Sequence, residues 1–191
     1  MFQYLVFLGA AVNLGGAFFY IRNILSGQTK PNKVTWLIWA IAPLIGTAAA
    51  LAKGVTWAVL PVFMAGFTPL LIFLASFLNK NAYWKLGKFD YACGLFSVLA
   101  LVAWAITKEP NIAIALAVLS DGLAAVPTLA KAWQHAETES VGVYAALLFN
   151  ALTSFAAIKM WSFSELAFPI YFVILNSSLT LAVLRRRKEK V

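Results

Sequence analysis

"IAIALAVLSDGLAAVPTLAKAW", Ile112 to Trp133, is an apolar run of 22 residues broken by one aspartate, one proline and a terminal lysine. A bilayer core of roughly 30 Å is crossed by about 20 helical residues. Length alone therefore predicts a spanning helix, with Asp121 about nine residues in, near its middle at about 1.5 Å rise per residue. A carboxylate at that depth costs about 2.5–3.5 kcal/mol or more. Pro127 removes a backbone donor and frees the carbonyl four residues back, at Leu123.

The rest of the chain repeats this pattern. Of its 191 residues 62% are hydrophobic and 12% charged, and the mean hydropathy is +0.83. A soluble domain carries about 25% charged residues, so this chain lacks the polar surface to cover a water-soluble globule. Apolar runs between polar punctuation predict seven spans: Tyr4–Ile24, Val34–Ala52, Trp57–Leu78, Tyr91–Ile106, Ile112–Trp133, Val141–Ile158 and Leu166–Leu184. The expected fold class is an all-α integral membrane protein. Met1 to Leu8 carries no basic residue, so the first run reads as a retained helix rather than a cleaved leader.

Lys and Arg orient the spans. Arg22, Lys30, Lys33, Lys80, Lys85, Lys88, Lys131 and the five cations of "RRRKEK" (Arg185 to Lys190) fall on one side, and Lys53, Lys108 and Lys159 on the other. The positive-inside rule then puts the N-terminus outside and the C-terminus in the cytoplasm of a plasma membrane of the bacterial inner-membrane kind. The net charge of +8 is concentrated in the juxtamembrane tail. It reads as an anchor on anionic lipid, with no nucleic-acid platform.

Sliding the chain by 108 residues aligns Pro61 with Pro169, Asn13 with Asp121, Thr68 with Asn176, and Trp36 with Tyr144. The first three helices (1–79) thus mirror the last three (111–184). A linker helix within 80–110 restores the direction of the second copy, and 185–191 is the basic tail.

This three-plus-one-plus-three pattern resembles the SWEET and PQ-loop superfamily of membrane transporters. "VPTLAKAWQHAETES" is similar to a PQ-loop segment, with a proline in the helix, a basic and an aromatic residue at its end, and a polar turn. Thr128 stands where the glutamine of the pair would be, and Phe19 holds the first-repeat place of Pro127. The resemblance implies alternating access, with Pro43 and Pro127 as hinges. It also implies a substrate-facing asparagine in each third helix; Asn176 resembles that position, and its repeat mate is Thr68. The pair Trp36 and Trp39 near an asparagine also resembles the PnuC vitamin transporters. Independently of any family, those two indoles read either as an aromatic belt at the membrane interface or as a clamp on a ring-bearing solute.

Asn13, Thr68, Asp121, Asn150 and Asn176 fall near the middles of five different spans, the layout of a midplane binding site. The bland alternative is interhelical stitching, worth about 0.6 kcal/mol per bond. Asparagine would serve stitching at less cost than Asp121. No Lys or Arg lies at this depth, so a neutral or proton-exchanging acid is expected there, coupling transport to protons or binding a cationic or hydroxyl-rich solute. With Trp39 these residues form the expected substrate site.

The turn "QHAETES" reads as a solvated loop, because His135, Glu137 and Glu139 are too few for a metal site. Pro61 and Pro169 read as helix-start residues, Gly27 as the end of the first helix and Pro31 as the start of the second. The glycine pair of "LGGAFF" reads as a close helix contact. Cys93, the only cysteine, reads as a packing residue. No phosphate loop, zinc spacing or nucleophile–base pair is present, so the reading is no enzyme, no cofactor and no metal. The expected partners are the bilayer, a small solute, and further copies in a homo-oligomer. A receptor or scaffold of the same fold is the second reading.

Overall fold

A computed structural model of the chain describes residues 4–52, 60–107, 110–158 and 161–188. Among them are seven α-helices and no strands: α1 (Leu5–Leu25), α2 (Lys33–Ala52), α3 (Leu60–Ala75), α4 (Lys88–Ile106), α5 (Pro110–Gln134), α6 (Val141–Ser154) and α7 (Phe163–Lys188). Short 3-10 turns at Ala136–Thr138 and Phe155–Ala157 lie on either side of α6. Three helical stretches, Leu5–Leu25, Ile114–Gln134 and Glu165–Arg185, are long and apolar enough to cross a membrane. The hinge at Lys53 and Gly54, and the cations Lys108 and Lys159, lie outside the described residues.

Local signals explain most helix ends. Gly27 has φ +77°, and its N–H donates to Ile24 O while Gln28 N–H donates to Asn23 O, a Schellman closure that a side chain would strain. Pro31 does not open α2. Asn32 does, because its Oδ1 accepts from the N–H groups of Val34 (3.1 Å) and Thr35 (3.3 Å), satisfying two of the orphan donors of the first turn. Its Nδ2 donates to Asp90 Oδ1 at 2.5 Å, and Asp90 Oδ2 accepts from Gly87 N–H at 2.6 Å. One asparagine thus joins the start of α2 to the start of α4. Pro61 is the second described residue of α3, with 53–59 outside the described residues, and Pro169 is an interior residue of α7. The helix-start reading of Pro169 is corrected. Phe163 to Glu165 extend α7 upstream of the apolar run, since helix formation does not require apolar residues.

Helix α3 packs between α1 and α2, and α7 packs between α5 and α6. The two groups meet where α1 lies on α6 and α2 on α5, while α4 leans chiefly on α5. Gly16 permits the α1–α6 approach, because an added Cβ would collide with Ala146 and stand 3.4 Å from Gly142 O. Gly66 does the same for α3 on α2, where a Cβ would meet Ala40 O at 3.0 Å.

Burial runs opposite to that of a water-soluble protein. Phe18, Phe19, Leu95, Phe96, Ile174 and Leu181 are exposed, whereas Asn13, Thr35, Ser97, Ser120, Asp121 and Thr128 are buried. Contiguous exposed apolar surface on this scale calls for an apolar surrounding, and buried polar groups must then find partners inside the bundle. The hydroxyls of Ser120, Thr35 and Thr128 do. Ser120 Oγ donates to Ser97 O at 2.7 Å and ties α5 to α4. Thr35 Oγ1 donates to Ala124 O at 2.7 Å and accepts from Thr128 Oγ1 at 2.9 Å. That pair sits beside Pro127, so α2 supplies donors to the α5 backbone next to the break that the proline makes.

Candidate functional site

A cavity of about 390 Å³ lies among α2, α3, α5, α6 and α7. Its floor is set by buried Trp39, Asp121, Asn150 and Asn176, and its other end by half-buried Ile158, Glu165 and Phe168. It therefore opens towards the start of α3, the end of α6 and the start of α7. Pro61, Pro69 and Pro169 line the wall. A proline ring is a compact apolar surface, and its missing N–H leaves the preceding turn open.

The structure gathers four of the six expected substrate residues here: Trp39, Asp121, Asn150 and Asn176. Asn13 and Thr68 are elsewhere. Thr68 Oγ1 donates to Asn13 Oδ1 at 3.0 Å and contacts Met64 O at 2.9 Å, so this pair joins α3 to α1 away from the cavity wall. Pro43 and Pro127 are interior residues of α2 and α5 and do not line the cavity.

The acid is held from two sides. Tyr171 Oη donates to Asp121 Oδ2 at 2.6 Å, and Trp39 Nε1 donates to Asp121 O at 3.3 Å. Asp121 Oδ1 and Asn150 Oδ1 are buried without a hydrogen-bond partner. Asn150 Nδ2 points at Pro61 O (3.5 Å) and Asn176 Nδ2 at Phe172 O (2.8 Å). Asn150 Oδ1 faces Gly9 of α1, 3.1 Å from where an added Cβ would stand there. Sequence reading missed Tyr171, Glu165 and the three wall prolines as a group. Tyr171 lies 50 residues from Asp121, and a tyrosine in an apolar run carries no mark of its partner.

Both indoles of "VTWLIWA" are buried, Trp36 completely, and they meet edge to face at 5.2 Å. The interface-belt reading is therefore corrected, since neither ring reaches the periphery of the bundle. Trp36 instead packs on Tyr20 at 5.2 Å, away from the cavity.

Beyond Tyr20 the bundle is closed by a cluster that the sequence reading took for a solvated loop. Glu139 is 2% exposed and Lys131 3% exposed, and the two form an ion pair. Glu139 Oε2 accepts from Tyr20 Oη (2.7 Å) and Tyr144 Oη (2.8 Å). Lys131 also donates to Lys30 O, and its ammonium lies 5.1 Å from the Trp84 ring. Lys30 N–H donates to Thr138 O at 2.9 Å. The loop is solvated at Gln134, His135 and Glu137. Glu139 turns inward because α1 and α6 present two phenols there.

In comparisons with protein-family models, with curated proteins and with solved structures, nothing matches this chain.

Proposed function

We propose that the chain is a seven-span membrane transporter that moves a small solute by alternating access, built as two parallel three-helix repeats joined by α4. The observation that carries this reading is a cavity with buried Asp121, Asn150 and Asn176, open towards one end of the bundle and closed at the other by the Glu139–Lys131 cluster. A site reachable from one end and sealed by a separable contact at the other is what alternating access requires.

Packing supports the repeat. Shifting by 108 residues turns the neighbours α1–α3–α2 into α5–α7–α6, and the α1–α6 contact into the α5–α2 contact. Thr68 and Asn176, paired by the same shift, each place a side-chain polar atom within hydrogen-bond distance of the carbonyl four residues back, Met64 O and Phe172 O, which are themselves so paired. In this reading the N-terminus is outside and the cavity opens outward. Arg22, Lys131 and Arg185 lie on the cytoplasmic side, by the sealed end. Rocking of the halves would part Tyr20 from Glu139 and Lys30 from Lys131 and Thr138, with Pro43 and Pro127 as the compliant points of α2 and α5. Asp121 supplies the charged contact to the solute and is the candidate for proton linkage.

Uptake by the purified chain in proteoliposomes tests this. Solute accumulation above protein-free vesicles is expected, and it should be lost or change its pH dependence in Asp121→Asn. Capture of a protein partner without uptake of any solute would favour a receptor of the same fold and sink the transport reading.

A further inference from the structure

We infer that the cavity selects an organic cation that carries N–H donors on an apolar or aromatic body, such as a protonated amine or amidine. The inference rests on the transport reading only for its biological purpose, because it concerns binding.

The side-chain donor atoms in the wall, Trp39 Nε1, Asn150 Nδ2, Ser154 Oγ and Asn176 Nδ2, each have a backbone carbonyl partner, and each of the two amides keeps one further N–H. Asp121 Oδ1 is buried and has no partner. Buried acceptors without donors are costly, and more so on a carboxylate. A ligand that brings N–H groups removes that cost, whereas one that brings only acceptors leaves it in place.

Charge points the same way. Among the described residues, the ionisable side chains of the wall are those of Asp121 and, at the mouth, Glu165. An anion would meet the Asp121 carboxyl at the floor. Tyr171 occupies Oδ2 of Asp121, so Oδ1 is the oxygen without a partner. The remaining surface is apolar, with Trp39, Phe168 and Phe172 among its residues. Aromatic faces attract cations as well as apolar rings, so the same wall accepts both parts of such a ligand. A volume of about 390 Å³ lies in the small-molecule range of about 300–1,000 Å³.

Three near-isosteric probes separate the classes: benzamidinium (cation, N–H donors), benzamide (neutral) and benzoate (anion). Binding to the full chain in nanodiscs is read by calorimetry and by tryptophan fluorescence. Benzamidinium should bind about tenfold or more tighter than benzamide, as for a site whose buried polar groups need a partner, and benzoate should not bind. Asp121→Asn should weaken benzamidinium about tenfold and leave benzamide nearly unchanged. Equal or tighter binding of benzamide or benzoate by the unaltered chain overturns the inference, as does no binding of any probe. These comparisons need no variant to fold. Benzamidinium binding without uptake would sink transport and keep the cation site. Uptake of a neutral solute that ignores Asp121 would do the reverse.

Discussion

Glu139→Gln is the substitution with the largest expected effect on stability. Gln keeps the length of the side chain and an acceptor oxygen but removes the charge. Lys131, 3% exposed, then keeps its ammonium in a buried site with only Lys30 O and the Trp84 ring to meet it. Removing one partner of a buried ion pair costs about 3–5 kcal/mol, because the other charge is left uncompensated. Glu139 also receives two phenol donors, and bonds to a charged acceptor are worth about 1.5–3 kcal/mol each, against about 1 for neutral ones. Lys131→Met should therefore cost less than Glu139→Gln, because the anion it leaves keeps both tyrosines. The double variant Lys131→Met/Glu139→Gln removes both charges and should be more stable than Glu139→Gln alone by about 1–3 kcal/mol. Reversible unfolding in mixed micelles, followed by circular dichroism, measures all three. A cost below about 1 kcal/mol for Glu139→Gln, the level of an exposed pair, would refute the burial argument. Simple additivity in the double variant would refute the pairing.

Three further outcomes follow from named contacts. Gly16→Ala should destabilise through collision with Ala146, whereas Gly15→Ala, where an added Cβ meets nothing within 4 Å, should stabilise by about 0.5–1 kcal/mol; equal effects in the same unfolding assay would deny the close α1–α6 contact. Thr35→Val removes the bonds to Ala124 O and Thr128 and should cost about 0.6–1.7 kcal/mol, measured the same way, with no loss taken as evidence that the α2–α5 seam is not stitched there. Tyr171→Phe deprives Asp121 Oδ2 of its donor and should cost about 1–3 kcal/mol. It should also alter benzamidinium affinity, and a variant unchanged in both respects would place the phenol outside the site.

Helix positions were legible because apolar run length is a local property, and each polar break falls within a few residues of a described helix end or outside the described residues. Gly27 was legible for the same reason. Asp121 announced itself by cost, and the structure does place it in the cavity wall. Burial in the turns was not legible. "QHAETES" has the composition of a solvated loop, yet Glu139 is buried because Tyr20, 119 residues away, donates to it. Asn32 and Asp90 escaped notice likewise, being 58 residues apart. Equal depth put Asn13 and Thr68 in the expected site. Depth along a helix fixes one coordinate only, and their rotation about α1 and α3 turns them towards each other.

Alternating access is tested most directly at Ala151, which is buried and lines the cavity. Cys93 is the only native cysteine, so Cys93→Ala/Ala151→Cys carries a single thiol. Its reaction with a membrane-impermeant thiol reagent is followed from each side of oriented vesicles. The reading expects reaction from the outside in this background, and reaction from the cytoplasmic side as well once Glu139→Gln is added. Reaction from one side only under both conditions would contradict it.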